Sequence, residues 1–205
     1  MTARNAAPKK PLRILLVRDP DALQTDNLQA IRAGLEDAGY SLVSVVPGDL
    51  ELPAHIDATK PDLLIIESEA GARDLVEYVC VSTQSAPRPI VLFTGNADSE
   101  RIRSALAVGI TAYIVDGLKA DRIKPVLEVA CARFQFEQQL RRELNDTRNR
   151  LAERKVIERA KGLLMQQLQV TEDEAYHRLR KVSMAQNIRI SQAAQKIIDV
   201  SAALG

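Results

Sequence analysis

At 205 residues the chain suits one large domain or two small ones, and no long multidomain enzyme fits. Hydrophobic residues at 46% and charged residues at 27% match an average globular mix and exclude wholesale disorder, while aromatics at 3%, with no Trp, exclude a nucleic-acid site built mainly on stacked aromatic platforms. The net charge of +1 conceals an asymmetry: residues 1–132 carry 14 Lys and Arg against 18 Asp and Glu, and residues 133–205 carry 14 against 9. An acidic half precedes a basic one, whose excess is either a polyanion site or a solvated helical face.

In chain order, residues 1–10 are small, polar and basic and read as a disordered tail. Leu12 to Val17 is a buried-strand run ended by Asp19-Pro20, and Asp26 to Ala38 reads as a helix closed by Gly39. Further strands are expected at Tyr40 to Val46, Asp62 to Glu67, Ile90 to Phe93 and Ala112 to Val115, with helices at about Ala70 to Ser82 and Ser99 to Val108. Continuous apolar strands separated by helices predict an α/β fold, a doubly wound five-stranded parallel sheet whose site lies at the carboxyl ends of the strands. Cys80 and Cys131 stand far apart in apolar stretches, and His55 and His177 have no Cys or His neighbour, so no metal and no cofactor is expected. A secretory apolar core and an apolar run near about 18 residues are both missing, which points to a cytoplasmic protein with no membrane contact.

Over roughly Leu12 to Phe134 this pattern resembles the receiver domain of two-component response regulators. Receivers place an acidic pair after the first strand to hold Mg²⁺, a phosphoacceptor Asp after the third, a Ser or Thr after the fourth and a Lys after the fifth. The matching positions here are Arg18-Asp19, Glu67, Thr94 and Asp116, of which Asp19 and Thr94 alone keep the expected type. Arg18 puts a cation where a metal needs a carboxylate, Glu67 lengthens the acceptor by a methylene, and Asp116 removes the cation that would pair with phosphoryl oxygens. Aspartyl phosphorylation is expected to fail, leaving Arg18 to pair with Glu67 or Asp116. No nucleophile–base pair or Gly-rich phosphate loop suggests an enzyme.

Beyond Pro125 hardly a helix breaker interrupts Asp121 to Gln169, so one long helix, or two joined end to end, is expected. Leu140, Leu144, Thr147 and Leu151 alternate spacings of four and three, either a short coiled-coil dimer seam or the face of a solvated linker helix. Thr171 and Glu174 form a capping box that launches a helix to about Ala185, and a last helix begins near Ser191 with Ala194, Ile197, Ile198 and Ala202 on its apolar face. The expected core of this three-helix unit is Ile157, Leu164, Leu168, Ala175, Leu179, Val182 and Ile198, with Met165 and Met184 as core fillers.

The run Arg154-x-x-Ile157-x-x-Ala160-Lys161-Gly162-Leu163-Leu164-Met165, followed by Ala175, Leu179-Arg180, Ser183-Met184, Asn187, Ala194 and Ile198, resembles the ANTAR domain, an RNA-binding antitermination module. The whole arrangement, with Ala112 to Leu118 in place of the usual Lys-Pro, resembles the NasT-like, nitrate/nitrite-responsive antiterminators and, more distantly, AmiR. The expected division is a tail at 1–10, a pseudo-receiver at 11–132, a coiled-coil linker at 133–153 and an ANTAR domain at 154–205. The resemblance implies a homodimer that binds paired hairpin loops in a leader mRNA, prevents terminator formation, acts on RNA polymerase only indirectly and is sequestered by a NasS-like nitrate/nitrite sensor protein. Arg150, Arg154 and Lys161 fall on one stripe of the first helix, and Arg180, Lys181, Asn187 and Arg189 lie at the end of the second, so the seven could converge on one hairpin loop. Lys and Arg suit phosphates, whereas Asn187 and Arg180 suit base edges, which RNA exposes chiefly in loops. Gly162 either lets an RNA backbone approach or only relieves helix packing; Arg178, Lys196 and His177 read as ordinary surface. The rival readings are a DNA-binding response regulator and a non-catalytic dimeric receiver-like adaptor.

Overall fold

A computed structural model describes residues 11–19, 28–68, 73–115 and 120–204. The chain divides into two compact units, residues 1–137 and 138–205. The tail at 1–10 and Asp116 lie outside the described residues.

The first unit is a five-stranded, wholly parallel sheet in the order β2-β1-β3-β4-β5. Its strands are β1 (Arg13–Arg18), β2 (Ser41–Pro47), β3 (Leu63–Glu67), β4 (Ile90–Thr94) and β5 (Ala112–Val115). The helices are α1 (Leu28–Asp37), α2 (Leu52–Thr59), α3 (Arg73–Ser82), α4 (Ser99–Val108) and the first part of α5 (Ala120–Leu168). Because side chains alternate along a strand, β1, β3 and β4 feed two cores at once. Leu15, Val17, Leu64, Ile66 and Leu92 meet α2, α3 and α4 on one face. Ile14, Leu16, Ile65, Val91 and Phe93 meet Ile31 and Leu35 of α1 and Ile123, Leu127 and Ala130 of α5 on the other. Each such fully buried side chain contributes about 1.5–3 kcal/mol of transfer free energy, which is why these strands read as unbroken apolar runs.

Local chemistry sets the helix ends. Gly39 takes a φ of +84° after α1, a conformation glycine adopts without a Cβ penalty. Asp98 caps α4 by accepting from the N–H groups of Glu100 and Arg101, and these bonds hold its carboxyl below the ordinary value. Helix α2 was not expected: it has eight residues, Pro53 in its first turn, and only Leu52 and Ile56 buried, too short a pattern to show helical periodicity. Both cysteines are free thiols; Cys80 is buried, and burial pushes it up to about 11.

The second unit contains the rest of α5, then α6 (Glu172–Gln186) and α7 (Ile190–Leu204). Pro125 sits in the second turn of the 49-residue α5, close enough to its start for the helix to continue. Both arms of the capping box are made: Thr171 Oγ1 accepts from the Glu174 N–H, and Glu174 Oε2 accepts from the Thr171 N–H. The core is Ala160, Leu164, Ala175, Leu179, Ala194 and Ile198, with Ile157 packed against it. Leu168, expected inside, is exposed, and so are Met165 and Met184. Small residues let the three helices approach closely and leave no room in the core for those long side chains. No helix among the described residues is long and apolar enough to cross a membrane.

Candidate nucleic-acid interface

At the carboxyl end of the sheet, Arg18 and Glu67 end β1 and β3 and stand opposite each other in register. Arg18 is 3% exposed, and its Nε lies 2.8 Å from Glu67 Oε2. Thr94 ends β4 and is buried, its Oγ1 accepting from the Asn96 N–H. Beside it the Tyr113 hydroxyl donates to the Asn96 carbonyl at 2.9 Å, and burial raises the phenol above its ordinary value. A divalent cation does not fit these residues: a guanidinium already neutralises the Glu67 carboxylate, and no group of three potential metal ligands exists among the described residues. Asp19 follows Arg18 half-buried.

The second unit gathers most of the expected basic residues at one end of α6. Arg180 and Lys181 are exposed on its last turns, and Asn187, in the left-handed conformation at φ 51°, caps its carboxyl end. The turn is held by the Ile188 N–H donating to the Ser183 carbonyl and by Ser183 Oγ donating to the Ile188 carbonyl at 2.6 Å. Arg189 follows, with Nη1 3.6 Å from Glu153 Oε1 on α5. That contact brings the turn beside the exposed Arg150 and Arg154, three positions before and one position after Glu153.

Lys161 does not join them. It is 8% exposed, and its Nζ lies 2.6 Å from Glu172 Oε1 and 2.9 Å from Glu158 Oε2. Hydrogen bonds to Glu172 and then Glu158 raise the ammonium above its ordinary value, and Lys161 holds Glu172 below its own. The expectation of a free phosphate-neutralising cation is thereby corrected: Lys161 clamps α5 to the first residue of α6. The proposed contacts therefore fall in two groups, because Lys161 meets the start of α6 whereas Arg189 lies beyond its end, and 15 helical residues span about 22 Å.

Gly162 neighbours the clamp and is exposed, and a Cβ built there meets nothing within 4 Å. Helix packing thus gives no reason for the glycine. Gly162→Ala is expected to stabilise the unit by about 0.5–1 kcal/mol. Thermal melts followed by circular dichroism test this, and a lowered Tm would refute it.

Residues 145–198 match the family described as ANTAR domain. The chain carries an ANTAR domain. The transcriptional regulatory protein PdtaR of Mycobacterium tuberculosis is 26% identical over 189 residues, which cover 92% of this chain and 90% of that protein. The nitrate regulatory protein of Klebsiella oxytoca is 38% identical over 65 residues, 32% of this chain and 16% of that protein. The signal receiver domain of a modulated diguanylate cyclase from Desulfovibrio desulfuricans G20 superposes with a TM-score of 0.50 at 23% identity, covering 62% of this chain and 98% of that domain. The sheet is thus a receiver fold, and the two named relatives are regulatory proteins.

Within the ANTAR domain, sequence reasoning passed over Tyr176 and misplaced Met184. Both are exposed: Met184 faces away from the buried Ala175 and Leu179, and Tyr176 stands at the edge of their face. The signal that could have found them is their spacing of four from Arg180, on a row that carries no core residue.

Proposed function

We propose that this protein is an RNA-binding transcription antiterminator. As a dimer it binds a leader mRNA with two short-loop hairpins, favours that fold over an overlapping terminator and so lets RNA polymerase continue. No bond is made or broken; binding free energy shifts the RNA between two structures. The observation that carries this reading is the ANTAR match over 145–198, on a unit whose α6 end presents Arg180, Lys181, Asn187 and Arg189 beside Arg150 and Arg154. In the proposed division, residues 133–153 form the dimer seam and 154–205 the RNA-binding part. The likeness to the Klebsiella oxytoca nitrate regulatory protein supports control of nitrate or nitrite assimilation genes, with a NasS-like sensor sequestering the protein in the NasT-like manner.

The experiment is a titration of two-hairpin RNA, beside duplex DNA of the same sequence, across a salt series. Arg180→Ala with Lys181→Ala is expected to weaken RNA binding by about tenfold or more and to flatten the salt dependence by one to two phosphate equivalents. Lys161→Ala is unsuitable as the first variant, since it dissolves the clamp to Glu172. Equal, salt-sensitive binding to both nucleic acids would overturn the antiterminator reading, and preference for the duplex would favour a DNA-binding regulator.

Control by a partner rather than by phosphate rests on the Arg18–Glu67 pair. Incubation with acetyl phosphate and Mg²⁺ is expected to leave no hydroxylamine-sensitive phosphoryl label on the protein. Labelling of the strand-end carboxylates would refute that part of the proposal.

A further inference from the structure

Beyond Phe136 the chain has one aromatic residue, Tyr176, and it stands outside the core. Tyr176 is 43% exposed, and Met184, two turns further along α6, is 71% exposed. Arg180 lies midway between them, and Asn187 continues the same stripe beyond the helix end at a spacing of three. The core of the unit takes Ala175 and Leu179 from α6 and neither Tyr176 nor Met184, so both of these apolar side chains are displayed. Lys181, three residues before Met184, borders the row on one side, so the apolar strip carries a cation within it and another at its edge.

Such a strip suits unstacked bases better than phosphates or a protein core. A base in a hairpin loop offers a flat π-face and polar edges next to a charged backbone. Tyr176 can stack on that face, the Met184 thioether can lie against a ring, and the planar Arg180 guanidinium can stack or donate between them. The backbone turn at Asn187, fixed by the Ser183 and Ile188 bonds, sets an amide at the end of the row for a base edge.

We infer that Tyr176 and Met184 are base-contacting residues, which with Arg180 form a stacking row for unpaired bases of an RNA hairpin loop. This rests on the antiterminator reading and adds to it that loop identity is read along α6, while phosphate charge is met at its flanks. The favoured occupant is RNA rather than protein because residues 133–205 carry an excess of five positive charges, and Arg180 lies in the row with Lys181 at its edge.

The test uses the full chain and a hairpin RNA carrying 2-aminopurine at successive loop positions. Tyr176→Ala is expected to weaken binding about tenfold and Tyr176→Phe to leave it nearly unchanged, since the π-face is kept. Met184→Ala is expected to lose a smaller factor, and both Ala variants to keep the wild-type salt slope, because no phosphate contact is lost. Quenching of 2-aminopurine at one loop position should disappear with Tyr176→Ala alone, while thermal melts match the wild type. Wild-type affinity and quenching in both Ala variants would overturn the inference, as would a lowered salt slope. Loss of self-association with RNA affinity intact would assign the row to a protein contact and likewise overturn it. If the wild-type protein itself discriminates no hairpin RNA, the antiterminator reading falls first.

Discussion

Replacing Arg18 with alanine is expected to destabilise the receiver-fold unit by about 3 kcal/mol, lowering its Tm by roughly 10 °C. Arg18 closes β1 in register with Glu67, is almost fully buried and holds that carboxylate at 2.8 Å. Removing the guanidinium leaves a carboxylate at the end of a central strand without its counter-ion and opens a void between two strands. The Glu67 side chain keeps 19% exposure, so water relieves part of the cost and places the effect at the lower end of the range for a broken buried pair. Glu67→Gln should also be costly, since it takes a carboxylate charge away from the buried Arg18 guanidinium. The double change Arg18→Ala with Glu67→Gln should cost clearly less than the two single changes added together, because it removes both charges together. Urea unfolding of all four proteins, followed by circular dichroism, closes the double-mutant cycle. A single-variant loss below about 1 kcal/mol, the value of an exposed pair, would show that the strand-end charges are solvated and would remove the physical basis for an internally neutralised acceptor site.

The same pair, set at the ends of two apolar runs, illustrates what the order of amino acids reveals by itself. Apolar runs between turn residues carry a strong signal, and the five strands and their parallel order followed from Leu12 to Val17, Ile90 to Phe93 and their counterparts, with ends moved by a residue or two. The eight-residue α2 was missed because two buried residues and an early proline cannot establish a period. Site residues are harder, since residue type does not reveal the direction of a side chain. Lys161 lies on the same helical stripe as Arg150 and Arg154, yet α6 begins beside it and presents Glu172 to its ammonium. Met184 reads as core by composition, but the helical face it occupies is set by Ala175 and Leu179, the residues that do pack. Tertiary neighbours decide such cases, and a single sequence does not contain them.

Substituting Leu140 and Leu144 together by glutamate is expected to convert a dimer into a monomer and to weaken binding to two-hairpin RNA by roughly 10²-fold or more, while a single hairpin is bound as before. In one chain Leu140, Leu144 and Leu151 are 57%, 48% and 55% exposed, and every residue from 139 to 152 is solvent-accessible on its own helix. Val129 and Phe136 are exposed as well, 11 and four residues before Leu140. Three leucines at successive spacings of four and seven, displayed to water, are a contiguous apolar row that a second copy would cover. Thr147 is the weak point of the seam, since its hydroxyl donates to the Glu143 carbonyl on its own helix and offers little apolar area. Burying each leucine contributes about 1.5–3 kcal/mol before the cost of association, enough for a reversible dimer and short of a permanent one. Once one hairpin is bound, the second site of such a dimer sees its hairpin at an effective concentration in the millimolar range, which raises affinity without any new contact. The double variant therefore separates two properties that a single affinity measurement merges. Analytical ultracentrifugation should show one chain where the wild type shows two, and titration with one- and two-hairpin RNAs should give the same affinity. A variant that remains dimeric would move the interface elsewhere, and a monomer that still prefers two hairpins by 10²-fold would show that one ANTAR domain spans both loops.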